Sequence, residues 1–128
     1  MIISGIGTDI VEISRIKEAL SRRGDRFAER ILTNDEFKQY MDKLDKPRFL
    51  AKRFAAKEAA AKALGTGFRQ GLSLKHIEVS NDELGKPNLS FYLRGKSLCQ
   101  EQRVASSHLT ISDERQYAVA FVILTCTE

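Results

Sequence analysis

Three charged side chains stand where the surrounding sequence is apolar or small, and together they could do chemistry. Asp9 follows Gly5 and Gly7 in the run IISGIGTDIV. A carboxylate there is unfavourable unless it meets solvent, a helix cap or a ligand. Glu58 lies in RFLAKRFAAKEAAAKALG, at the flank of a stripe formed by Leu50, Phe54, Ala61 and Leu64. A partly buried carboxylate in that position calls for a cation or a metal. Lys62 follows one helical turn later. Mg²⁺ is commonly held by one or two protein carboxylates, with water and substrate phosphate filling its other positions. Asp9 and Glu58 would suit that role, and Lys62 could reach a phosphate oxygen. The combination fits phosphoryl-type transfer on a diphosphate. Blander roles are open to the same residues. Asp9 could end its strand or cap the next element, and Glu58 with Lys62 could be a helix-stabilising i, i+4 pair worth a few tenths of a kcal/mol. Spacing along the chain does not by itself bring Asp9 to Glu58.

A second group is basic. Arg15, Arg22, Arg23, Arg26 and Arg30 recur on or near one element. Arginine grips carboxylates and phosphates bidentately, so this cluster could dock an acidic partner, although a solvated helix face has the same composition. Other patterns fail on inspection. GTGFRQG at 65–71 lacks the Gly-Lys-Ser/Thr ending of a phosphate loop and follows a helix. Gly5 and Gly7 lack the third glycine of a dinucleotide fingerprint. His76 and His108 have no metal-ligand spacing, Cys99 and Cys126 have no activating neighbour, and no serine sits in a nucleophile elbow.

The elements that must position these residues are legible in outline. Ile2 to Val11 reads as a strand whose glycines mark a bulge or a close backbone approach. Ser14 caps a helix running to about Arg23 and stopped by Gly24, with Ile16, Ala19 and Leu20 inward. Asp25 caps a short helical turn containing Phe27 and Ile31. Thr33 and Glu36 have capping-box spacing ahead of a helix with Phe37, Tyr40 and Met41 on one side. Pro47 opens a long helix over 48–64 that holds seven alanines and ends at Gly65. So many small residues imply packing on more than one side. In the second half, Leu74 to Ser80 and Leu89 to Leu93 read as strands around the turn NDELGKP, and Lys96 to Arg103 as a short helix. His108 to Ser112 and Tyr117 to Thr125 read as two further strands. The expected class is α+β, a mainly antiparallel sheet packed against a long alanine-rich helix, in one domain over 1–128.

Composition narrows the functional classes. The chain has 128 residues, 42% hydrophobic, with a formal charge of +4. Residues 1–69 carry a net +5 and residues 70–128 a net −1. The basic first half therefore suits an acidic partner. No apolar run reaches the roughly 20 residues of a membrane span, and the N-terminal segment lacks the basic region of a secretory signal. Two cysteines do not make a disulfide framework, so the expected compartment is the cytoplasm. Trp is absent, which weakens a base-stacking role, and neither nucleic acid nor membrane is expected as a partner. The basic charge and the arginine cluster would still fit a small RNA-binding module, which salt-titrated binding would reveal.

GIGTDIVEISRI at 5–16 and RFAAKEAAAKALGTG at 53–67 resemble the two signature segments of the short bacterial type of the 4′-phosphopantetheinyl transferase superfamily, the holo-[acyl-carrier-protein] synthases. GDRFAERIL at 24–32, RFLAKRF at 48–54, NDELGKP at 81–87 and HLTISDERQYAVA at 108–120 extend the resemblance through the chain. It implies transfer of the 4′-phosphopantetheine arm of coenzyme A to a serine of apo-acyl carrier protein, releasing adenosine 3′,5′-bisphosphate, in support of fatty acid biosynthesis. It implies Mg²⁺ held by Asp9 and Glu58, with Lys62 near the diphosphate. Arg53, Gly65, Pro87 and His108 fall in segments that line the coenzyme A site in relatives. Arg15 and the arginines after it (Arg22, Arg23 and Arg26) match the helix that docks the acidic carrier protein. The resemblance further implies a homotrimer with active sites at subunit interfaces. An inactive relative that only assembles with a partner would share the fold, but the acidic and lysine positions are intact.

Overall fold

The computed structural model describes residues 1–127; residue 128, the last of the expected domain, lies outside them. Strand β1 (Ile2–Glu12) opens the chain. Four helices follow: α1 (Ile13–Arg23), α2 (Asp25–Ile31), α3 (Asn34–Met41) and α4 (Lys46–Ala63). A 3-10 turn over Leu74–His76 leads into β2 (Ile77–Asn81) and β3 (Pro87–Phe91). Helix α5 (Arg94–Glu101), β4 (Val104–Asp113) and β5 (Tyr117–Cys126) complete it. Every strand pairing is antiparallel: one sheet has the order β1-β5-β4, and β2-β3 is a separate hairpin.

Helix α4 is the centre of the molecule. Asp45 caps it by accepting from the Arg48 amide at 3.1 Å, and Pro47 occupies its first turn. Ala51, Ala55, Ala56, Ala59, Ala60 and Ala63 are all buried, so the helix is packed around most of its circumference. The alanines leave room for backbone to approach backbone. A Cβ on Gly5 would lie 1.9 Å from the Ala63 carbonyl oxygen, and one on Gly7 would lie 2.0 Å from that of Ala59. The two glycines therefore let β1 lie directly on α4. The ladder also shifts register between Ile3 and Gly5, so both meanings of a strand glycine occur here.

Several expected boundaries are different in the structure. Ser14 does not cap α1: Glu12 precedes the helix, and the Ile13 amide is taken by the Gln116 carbonyl at 2.8 Å. A backbone acceptor from the β4–β5 turn replaces the side-chain cap. Asp25 is the first residue of α2 rather than its cap, and its carboxylate accepts from the Tyr40 hydroxyl at 2.9 Å. Leu74 begins a 3-10 turn capped by Ser73, so β2 starts only at Ile77. Met41 is 48% exposed, unlike Phe37 and Tyr40, because α3 ends there. Helix α5 starts and ends two residues earlier than expected, and β4 is twice the expected length. The capping box at Thr33 and Glu36 forms as read.

Candidate active site

The close approach of β1 to α4 brings the chemistry-bearing residues together. Asp9 stands in mid-strand, paired with Ala120, on the same side of β1 as Gly5 and Gly7. It neither ends a strand nor caps a helix. Lys62 reaches across from α4 and donates to the Asp9 carboxylate and to the Thr8 carbonyl, each at 3.0 Å. Lys62 is half exposed and Asp9 is 17% exposed. The lysine thus pairs with the strand carboxylate and not with Glu58. Glu58 is half-buried beside them. Its carboxyl is pushed above the usual range, first by burial and then by the Asp9 charge, with Lys62 pulling it partly back. Two carboxylates and one ammonium leave this corner with a net negative charge, open at its outer edge. Gly65, one residue beyond the Leu64 cap of α4, takes φ 81° and turns the chain at the end of the helix.

The donor set suits a hard cation. Among the described residues no group of three or more His, Cys, Asp or Glu side chains stands together. Two carboxylates are nevertheless what Mg²⁺ takes from protein when phosphate and water supply the rest.

A second part of the surface lies nearer the start of α4, facing the β2–β3 hairpin. A cavity of about 440 Å³ is lined by Lys43, Arg48, Phe49, Lys52, Arg53 and Pro87, among others. Arg53 is 4% exposed. Its guanidinium packs over the Phe49 ring, 4.6 Å from the centroid, and donates to Gln39 and Asn81 at 3.1 Å each. Burial lowers its proton affinity while Glu36 and Glu78 raise it; an arginine stays charged regardless.

Beneath that cavity is a buried ion pair that the sequence reading did not find. Lys57 and Glu36 are both fully buried and 2.6 Å apart. Lys57 also donates to the carbonyls of Ile31 and Leu74, and Glu36 accepts from the amides of Thr33 and Val79. Arg53 Nε lies 3.8 Å from Glu36 without a hydrogen bond. The only sequence signal was the capping box, which explains Glu36 locally.

The remaining expected residues lie elsewhere. His108 is exposed on the face of β4 away from α4, with Nε2 3.3 Å from the Ser106 hydroxyl. Within one protomer it does not join Asp9 and Glu58. Arg15, Arg22, Arg23 and Arg26 are exposed on α1 and α2. Arg15 pairs loosely with Glu12 at 3.4 Å, and Arg23 rests over Phe27. Cys99 and Cys126 are free thiols, and burial pushes Cys99 up to about 11, so it is no nucleophile at neutral pH.

Comparison with known proteins points one way. The family described as the 4′-phosphopantetheinyl transferase superfamily matches residues 5–122. A holo-[acyl-carrier-protein] synthase of Aliivibrio fischeri is 58% identical over 123 residues, spanning 96% of this chain and 98% of that one. The crystal structure of the Neisseria meningitidis holo-[acyl-carrier-protein] synthase superposes with a TM-score of 0.92 at 41% identity, covering 97% and 99% of the two chains. The Helicobacter pylori synthase, solved in complex with coenzyme A, superposes with a TM-score of 0.82 at 32% identity, covering 94% and 99%.

Proposed function

Because the chain belongs to the 4′-phosphopantetheinyl transferase superfamily, among its holo-[acyl-carrier-protein] synthases, we propose that Asp9, Glu58 and Lys62 form the centre at which it works. The enzyme transfers the 4′-phosphopantetheine arm of coenzyme A to a serine hydroxyl of apo-acyl carrier protein. The serine oxygen gives up its proton to solvent and bonds to the β-phosphorus, the bond from that phosphorus to the bridging oxygen breaks, and adenosine 3′,5′-bisphosphate leaves with the electron pair of that bond. The nucleophile belongs to the partner, in keeping with the lack of a nucleophile elbow in this chain.

The observation that carries the site assignment is the joining of Asp9, Lys62 and Glu58 by the β1–α4 contact. Asp9 and Glu58 would hold Mg²⁺, which when bound supplies charge neutralisation at the diphosphate. Lys62 lies within reach of the same phosphates and offsets charge developing on the leaving group. The basic cavity around Arg53, Lys52 and Pro87 would receive the anionic end of coenzyme A, and Gly65 leaves the backbone free for close approach of the diphosphate arm. Arg15, Arg22, Arg23 and Arg26 form an exposed basic surface suited to an acidic carrier protein.

We further propose a homotrimer with sites shared between subunits. Ile6 and Ile10 are each 62% exposed on the side of β1 opposite α4, next to Ile123 and Val119 of β5. An exposed apolar sheet face of this kind marks an interface. His108 lies in the same row as Ile6 and Ile123, so it would belong to a site completed across that interface. No helix of the described residues is long and apolar enough to cross a membrane; the free thiols are the support for a cytoplasmic location.

Incubating the protein with coenzyme A, Mg²⁺ and apo-acyl carrier protein should raise the intact mass of the carrier by one phosphopantetheine. EDTA should abolish the gain. An equal gain in EDTA would refute the metal assignment, and no gain by a folded protein would refute the transfer.

A further inference from the structure

The basic cavity has two counter-anions: Asp45, which lines it, and Asp113, which lies at its edge and pairs with two of its lining cations. Asp113, at the end of β4, is 28% exposed and sits between two of the cavity's cations, Arg48 Nη1 at 2.9 Å and Lys52 Nζ at 3.6 Å. The two cations are held differently. Arg48 also bonds Asp45 at 3.2 Å and the carbonyls of Glu114 and Arg115 at 2.6 and 3.2 Å, so it stays in place without Asp113. For Lys52 the Asp113 carboxylate is the one acidic partner within ion-pair distance among the described residues, and the lysine is 37% exposed. Lys43, on the same wall, has no acidic partner among the described residues and lies 5.3 Å from the Phe49 centroid. A carboxylate bridging Lys52 and Arg48 meets them as a ligand phosphate would.

We propose that Asp113 sets how readily ligand leaves: it competes with ligand phosphate for Lys52 and so keeps the cavity from holding the bisphosphate product too tightly. The proposal rests on the cavity being the coenzyme A site. A full set of unopposed cations would bind substrate and product alike, which lowers KM without raising kcat and slows product departure. A fixed carboxylate weakens both complexes by the same repulsion, and the lysine is returned to its resting partner when the product leaves.

Asp113→Asn keeps the shape and an acceptor for Arg48 but removes the charge. It should tighten binding of adenosine 3′,5′-bisphosphate, read by calorimetry on the full chain, by about fourfold at low salt, with the gain shrinking as salt approaches about 1 M. Adding Lys52→Gln to that variant should return affinity to the wild-type level, because Lys52 is the cation set free. Wild-type protein that binds neither coenzyme A nor the bisphosphate would overturn the cavity assignment and this proposal with it. Wild-type protein that binds both, with Asp113→Asn binding the bisphosphate no more tightly, would overturn the role of Asp113 alone.

Discussion

Burial and the neighbouring charge of Asp9 make Glu58 hold its proton more firmly than an exposed glutamate. Between the ordinary value of 4.5 and its raised one, the folded protein binds this proton and the unfolded chain does not. Stability therefore falls as pH rises through that window, and the loss persists above it. Glu58→Gln in EDTA should accordingly melt above wild type at pH near 8, and the difference should vanish near pH 4, where both side chains are neutral. A lower melting temperature for the variant at the higher pH would contradict the account. That cost to the fold is consistent with the proposed role of Glu58 in binding a cation. Part of this was visible in the sequence: a carboxylate beside an apolar helical stripe announces partial burial. The partner of Lys57 was not, because Glu36 is 21 positions away and only the folded chain brings them to 2.6 Å. At helical spacing Lys57 has only the like-charged Arg53, so no local pattern disclosed the tertiary contact.

The element that decides the site is the contact of β1 with α4. Gly7 meets the Ala59 carbonyl where any side chain would collide with backbone, and Asp9 lies on the same side two residues on. Gly7→Ala should lower unfolding stability by about 3 kcal/mol, the upper part of the range for overpacking. Denaturant titration would show it as a lower midpoint with an unchanged slope. Activity should fall with it, since displacing β1 moves Asp9 from Lys62. A fully stable Gly7→Ala protein would mean that the strand does not need this approach. Elements of strong local character were legible: the alanine-rich helix, the capping box at Thr33, the hairpin around NDELGKP and the glycine-marked strand. Those that failed depended on distant groups. The start of α1 is set by Gln116, more than a hundred residues away, and the side chain of Ser14 is not needed there. The 3-10 turn at Leu74 is set by Ser73 and by Lys57 bonding the Leu74 carbonyl, which a run of alternating apolar residues does not disclose.

The two faces of the three-stranded sheet differ in what covers them. One is filled by α4 and its alanines. The other presents Ile6 and Ile10 outward, and His108 stands with them, apart from Asp9 and Glu58. If the proposed trimer forms through this face, Ile6→Lys should give a monomer in light scattering where wild type gives a trimer, and lower transfer activity together with assembly; an active monomer would place the whole site within one chain. The charge distribution follows the same division of labour, with the basic excess in the first half near the helices that would meet coenzyme A and the carrier. Asp9 and Glu58 of the β1–α4 corner have the proposed role of supporting the transfer. Intact-mass analysis of apo-acyl carrier protein after incubation with Asp9→Ala or Glu58→Ala protein, each first shown to be folded, checks that role. Both variants should leave the carrier unmodified in coenzyme A and Mg²⁺ while wild type converts it. Wild-type conversion by both folded variants would mean that neither carboxylate serves the transfer.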